Sequence, residues 1–413
     1  MPRKKAENKD TPKKPVDFFK KIKTGNVLAD SHKKIITKSY IDTGSYVLNA
    51  MFSGDMTVGF QDNRIHMLAE KQSAGKTLFF MYCFCKPMYD LGYHIYWIDS
   101  ENAVTHEDFE GFGIDADRVT IIKESVVEKV TERVNKIVLQ IEAAREAGKD
   151  NVHKCMFVLD SQGQLDTEKS RADVTSGKGV KDMTKQQKLR AMYNNFTQRI
   201  GDLDIPFCVT NWLYENIGGY GEKKKVAGGH AGLYAASNIF LLTNLKAIES
   251  EKHTGTIFRI KIYKSRTCRL AKEANIYLDF SKGLNKWYGL HTFADEAGLI
   301  DTCKKVEEVE KKYPKITVPK LGAGDKYVLK HPDKDESEWI VCNKKTLHSK
   351  EGIGFLFDPI NEWVGKNFKL LKPVDFDYEE DLDIDDSNLT EKNDDTIENV
   401  TVEEKEEETA SEV

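Results

Sequence analysis

From about Asn63 onward, short apolar runs alternate with longer amphipathic stretches. That alternation predicts βαβ units in a mostly parallel sheet, since each run has strand length and each stretch between is long enough to cross over. RIHMLAE, YHIYWID, CMFVLDS, PFCVTNW and NIFLLTNL are the strand candidates. Between the second and third, Val127, Val130, Val134, Ile137, Val138 and Ile141 recur at helical spacing as far as Gly148, which predicts a crossover helix. FRIKIYKS and ANIYLDF then follow each other around a loop, as antiparallel edge strands would, and the core is expected to close near Gly289. The predicted organisation is a basic arm with an oligomerisation helix over 1–40, an α/β core over 41–290, a small α+β region over 291–373 and a disordered acidic tail over 374–413. No internal repeat is visible.

Composition agrees with a globular chain. With 413 residues, 39% of them hydrophobic, there is enough material for one large core and a smaller appendage. No apolar run reaches membrane-spanning length, the longest being LFFMYCFC at 78–85, so a cytoplasmic protein is expected. Seven cysteines lie mostly within apolar stretches and lack paired spacing, which predicts core thiols rather than disulfides or a zinc site.

Charge changes the picture. From Asp375 to Val413 eighteen acidic residues face only Lys392 and Lys405, so this stretch carries −16 while the whole chain carries −5, and residues 1–374 are left at +11. A basic body suits a polyanion, and the tail either competes for that surface or merely solubilises the chain.

The first strand leads into Glu70, Lys71, Gln72, Ser73, Ala74, Gly75, Lys76 and Thr77, then straight into an apolar helical run from Leu78. A strand, a loop, GKT and a helix make a phosphate-binding loop. Backbone N–H groups of the loop and the helix N-terminus point at phosphate, Lys76 reaches its outer oxygens, and the Thr77 hydroxyl ligates Mg²⁺. ATP and Mg²⁺ are therefore the expected cofactors. One position departs from GxxxxGK[ST], because Glu70 stands where the first glycine belongs. Asp160 closes CMFVLD as a carboxylate for the Mg²⁺ shell. Asp99 and Glu101 end YHIYWIDSE on what is read as one strand face; Glu101 is taken as the group that orients an attacking water, and Asp99 as a cap.

Two glycine- and lysine-rich stretches start right after strands, at 162–182 and 214–229, and read as mobile loops. Lys169, Arg171, Lys178, Lys181, Lys223, Lys224 and Lys225 supply charge, and Tyr214 and Tyr220 offer rings for bases. They line a DNA groove or form solvated lids.

Read in order, these pieces resemble the RecA family of recombinases, and more closely the UvsX recombinases of T4-like bacteriophages. The likeness covers roughly 40–290. Beyond the phosphate loop it rests on DSE at 99–101, LDS at 159–161, KDMT at 181–184, TNWLYE at 210–215, GGHAGLYAAS at 228–237 and KSR at 264–266. It implies a RecA-like ATPase fold, a DNA-dependent ATPase, and a filament on single-stranded DNA that pairs it with homologous duplex, with ssDNA-binding and loading proteins as partners and no membrane. It assigns Glu101 to water activation, the two loops to DNA, and Lys264 and Arg266 to the neighbouring subunit's γ-phosphate. Phe18, Phe19 and Ile22 share one helical face of an N-terminal segment that, by the likeness, docks on the adjacent copy. Two residues depart from the family. Trp212 stands where an amide or imidazole senses the γ-phosphate, a task Asn211 would have to assume, and Glu70 threatens to crowd the phosphates. A ring-shaped helicase motor of the same fold and a small-molecule P-loop kinase are the competing readings.

Overall fold

The computed structural model describes residues 39–70, 75–147, 154–177, 184–215, 224–226, 230–250, 253–270 and 272–370. The basic arm with Phe18, Phe19 and Ile22, and the acidic tail, lie outside the described residues.

Two short strands, β1 (Tyr40–Ile41) and β2 (Phe60–Gln61), pair around helix α1 (Tyr46–Ser53). Ser45 caps α1 and Gly54, at φ 72°, ends it in the left-handed conformation that glycine adopts without strain. The main sheet begins with β3 (Ile65–Glu70). The apolar run that follows forms one continuous helical rod: α2 (Lys76–Phe80), a π turn at Met81–Cys85, and α3 (Lys86–Asp90). Next come β4 (His94–Asp99), α4 (His106–Gly111), β5 (Val119–Lys123), α5 (Val127–Glu146) and β6 (Cys155–Asp160). Val127, Val130, Val134 and Val138 are the buried stripe of α5, as their spacing predicts.

After β6 the chain forms α6 (Glu168–Thr175), α7 (Lys185–Asp202), β7 (Phe207–Glu215), β8 (Lys224–Val226) and α8 (His230–Ala235). Two long antiparallel strands, β9 (Asn238–Ser250) and β10 (His253–Ser265), lead to β11 (Glu273–Asp279) and β12 (Gly283–Leu284).

The strands order as β12-β11-β10-β9-β3-β7-β6-β4-β5. From β9 to β5 every neighbour is parallel. The predicted α/β class with an antiparallel edge is therefore what the chain builds. The edge strand VTIIK and the hairpin strand β8 were not foreseen from the pattern.

Alternation along the central strands sends side chains to two faces. Leu68, Ile95, Trp97, Met156, Val158 and Cys208 pack under the α2–α3 rod. Met67, Ala69, Phe157, Leu159, Phe207 and Val209 pack under α5 and α7. Each large buried side chain contributes about 1.5–3 kcal/mol, so both helical layers are held firmly against a sheet whose strand ends carry the chemistry.

Residues beyond 289 form α9 (Leu290–Glu296), α10 (Val306–Lys312), α11 (Lys344–Leu347), α12 (Phe357–Phe368) and an antiparallel sheet of β13 (Ile300–Cys303), β14 (Lys326–Leu329) and β15 (Ile340–Asn343). Cys303, Val309, Ile316, Val328 and Val341 make a small core there. Ile360, Val364 and Phe368 of α12 belong instead to the large core that includes α1 and Phe293. All seven cysteines are buried thiols. Among the described residues no helix is long and apolar enough to cross a membrane.

Candidate nucleotide site

Parallel register brings the carboxyl ends of the central strands level. Asp99 pairs with Asp160, Ala69 with Asn211, and Glu70 with Trp212. Open α/β sheets bind ligands at this edge. Gly75 precedes α2 at φ 90°, which a side chain would strain, and its Cα hydrogen position faces the Phe258 ring. Lys76 and Thr77 then open α2, with Lys76 buried; half-buried Leu78 packs against the large core. Lys71, Gln72, Ser73 and Ala74 lie outside the described residues.

The Thr77 hydroxyl donates to Asp160 Oδ2 at 2.6 Å. The Thr210 hydroxyl donates to the other oxygen, Oδ1, at 2.5 Å. Asp160 is buried, and that burial raises its carboxyl above the ordinary range; Glu101 adds to the rise, while the two threonines and Lys76 oppose it. The Asp160–Ser161 peptide is cis.

Glu101 sits just past β4, not on it. Asp99 accepts the backbone N–H groups of Glu101 at 3.1 Å and Val104 at 3.2 Å, so the chain turns at the strand's end. The two carboxylates therefore do not share a strand face, contrary to the expectation from their spacing. Glu101 is exposed, and one of its oxygens, Oε1, accepts the Ser161 hydroxyl at 2.7 Å. Ser161 is held in turn, its N–H donating to Ser100 Oγ and its carbonyl accepting from the same hydroxyl, both at 2.8 Å. Thr210 and Ser161 escape a sequence reading because their roles depend on strand register.

Asn211 is buried; its Oδ1 accepts the Trp212 N–H at 2.8 Å and its Nδ2 lies 3.8 Å from the Met67 sulfur. The Trp212 indole lies flat against Gly163 in the first turn after β6: a Cβ built on Gly163 would meet the ring at 2.9 Å. Glu70 does not turn out to solvent but is 1% exposed.

The stretch read as a first mobile loop contains α6, capped by Thr167. Arg171 on this helix donates to the Ser125 hydroxyl, and Lys169 is its neighbour two residues back. The second stretch contains β8, bearing Lys224 and Lys225, paired antiparallel to β7. Both segments have regular structure where described, because Thr167 supplies a helix cap and β7 runs on past the sheet as a hairpin. Lys178, Lys181, Tyr220 and Lys223 lie outside the described residues.

Lys264 and Arg266 come from the end of β10. Lys264 donates to the carbonyls of Leu233 and Tyr234, and Arg266 to that of Tyr234, the latter two at 3.0 Å. Two cations thus hold the C-terminal turn of α8, where unpaired carbonyls concentrate negative charge. Burial, with Arg266 alongside, pushes the Lys264 ammonium down to about 8. Arg266 and Tyr234 also line a cleft of about 980 Å³ between α7 and α8, together with Gln186, Arg190 and Asn194.

No family model matches the chain. Individual curated proteins do. The chain is 25% identical over 265 residues to the recombination and repair protein of Enterobacteria phage T4, covering 64% of the chain and 65% of that protein. It is 25% identical over 333 residues to Protein RecA of Helicobacter acinonychis, covering 78% of the chain and 88% of that protein. The chain is thus similar to RecA-family proteins over most of its length. Protein RecA of a Nocardioides species matches over 59% of the chain and 66% of its own length, at 23% identity. The match to the T4 protein thus spans less than two thirds of that relative's length.

Proposed function

We propose that this chain hydrolyses ATP with Mg²⁺ and acts in DNA recombination and repair, assembled as a helical filament on single-stranded DNA. The observation that carries the reading is the convergence of Thr77, Asp160 and Glu101 through Ser161 at one strand-end edge. A hydroxyl in the first helical turn, bonded to a buried strand-end carboxylate, is the donor pair that holds Mg²⁺ in P-loop enzymes. Thr77 would ligate the ion and Asp160 hold its water shell. No larger acidic cluster is needed, and none of three or more candidate ligands occurs among the described residues. When bound, Mg²⁺ neutralises charge developing on the transferred phosphoryl group.

Lys76 binds the outer phosphates, and Glu101, steadied by Ser161, accepts a proton from the attacking water. Lys264 and Arg266 lie beside α8 at the end of β10, and their proposed role is on a neighbouring copy's nucleotide. In the single chain both are engaged with carbonyls, so a neighbour's triphosphate has to draw them away from α8. Hydrolysis then depends on assembly. The T4 relative's name, recombination and repair protein, supports the biological assignment. Lys169, Arg171, Lys178, Lys181, Tyr220, Lys223, Lys224 and Lys225 are the proposed contacts to single-stranded DNA, and homologous duplex is the proposed second substrate.

The test is ATP turnover with and without single-stranded DNA at low salt, alongside electron microscopy of the complex. DNA should stimulate turnover and yield open helices. Lys76→Ala should lose nucleotide use, and Glu101→Gln should bind ATP and DNA but turn over slowly. Turnover indifferent to DNA would sink the recombinase reading, and closed rings would favour a helicase motor.

A further inference from the structure

Glu70 is the last residue of β3 and is 1% exposed, yet neither carboxylate oxygen has a hydrogen-bond partner among the described residues. Its surroundings account for that. Trp212 pairs with it from β7 and brings no charge. From β9 the backbone N–H of Asn244 comes close enough to favour the ionised form, without the geometry of a full hydrogen bond. From α2, Lys76 is the charged group that acts on it. A carboxylate taken out of water without hydrogen bonds is costly as an anion, and the usual relief is to keep its proton.

We propose that Glu70 makes triphosphate binding proton-linked: the nucleotide-bound chain holds Glu70 as the neutral acid, so binding draws a proton from solvent whenever the free chain has lost it. This inference rests on the ATP site proposed above. Lys76 is the connection, because it is the cation that partly offsets an ionised Glu70 and also the cation a phosphate claims. Once Lys76 turns to phosphate, Glu70 loses the compensating charge it has among the described residues and gains a polyanion nearby, and both changes favour the acid. Burial already pushes Glu70 up to about 7, so near neutrality the free chain is divided between the two forms. Binding should therefore be tightest below neutrality and weaken as pH rises.

The experiment titrates the full chain with a non-hydrolysable ATP analogue in excess Mg²⁺, by calorimetry between pH 6 and pH 8.5, in buffers of differing ionisation heat. Glu70→Gln and Glu70→Gly are run beside the native chain, with a thermal melt to certify folding. The native chain should match Glu70→Gln near pH 6 and bind roughly tenfold more weakly by pH 8.5, tenfold corresponding to one pKa unit of coupling. Near pH 7.5 its binding heat should depend on the buffer, reporting proton uptake, while that of both variants should not. Parallel affinity profiles with buffer-independent heats would overturn the proton linkage and leave the nucleotide site standing. Absence of binding by native chain and variants at every pH would overturn the nucleotide site itself, and the inference with it.

Discussion

An ionisable group that folds without a partner makes stability depend on pH, and Glu70 should do so with a definite sign. Its pKa is about 7 in the folded chain, against 4.5 for an ordinary glutamate. The folded state therefore holds the proton more tightly than the unfolded one, and stability from this group is complete below about 4.5 and lost as pH climbs to 7. Glu70→Gln cannot lose a proton. It should match the native chain near pH 4.5 and exceed it above pH 7 by an amount on the order of 3 kcal/mol. Denaturant midpoints at the two pH values check this, and an equal gap at both would show that the carboxyl is solvated. Ser161 invites a second substitution. Its hydroxyl fixes one oxygen of Glu101, so Ser161→Ala should lower kcat about fivefold with little change in KM, the cost of one lost hydrogen bond. A change confined to KM would remove Ser161 from the hydrolytic arrangement. At this scale Lys76, Thr77, Asp160 and Glu101 could be singled out as candidates, because GKT after a strand and acidic residues at or just past the end of an apolar run are local patterns. Thr210 and Ser161 were not, since a threonine within VTNW looks like any β-former until β6 and β7 are laid in register.

Elements were readable where apolar periodicity alone determines them, as in α5 and the five central strands. They were misread where composition was the guide. Glycine and lysine made 162–182 look like a loop, although Thr167 accepting from the Ser170 N–H caps a helix there. The same segment is joined to the end of β7 by an interaction no local pattern encodes, the Trp212 ring on Gly163. Both proposed DNA segments start from this joint, so it ties them mechanically. Gly163→Ala should force the rigid indole aside, destabilising the chain by roughly 1–3 kcal/mol and shifting Trp212 fluorescence. Gly163→Ala combined with Trp212→Leu should recover much of the loss, because the smaller side chain makes room. A double-mutant cycle decides it: additive effects would mean that the alanine is accommodated elsewhere and the joint is not tight.

Over the whole molecule the charge is divided along the chain. Residues 1–374 carry +11 and the last 39 carry −16. A basic body favours DNA through release of the counterions condensed on phosphate, a term that falls steeply as salt is added. An acidic segment attached to the same chain competes for those lysines and arginines as an intramolecular polyanion, also through screened charge. The two effects make a joint prediction for a chain ending at residue 374. It should bind single-stranded DNA more tightly than the full chain at low ionic strength, and the advantage should shrink with added salt as attraction to either polyanion is screened. The slope of log affinity against log salt should be steeper for the shortened chain, since every cation freed from the acidic segment becomes available to displace a counterion from DNA. Fluorescence anisotropy of a labelled oligonucleotide across a salt series measures both quantities. Identical affinities and slopes would mean that the acidic residues never occupy the DNA surface, leaving them a solubilising role.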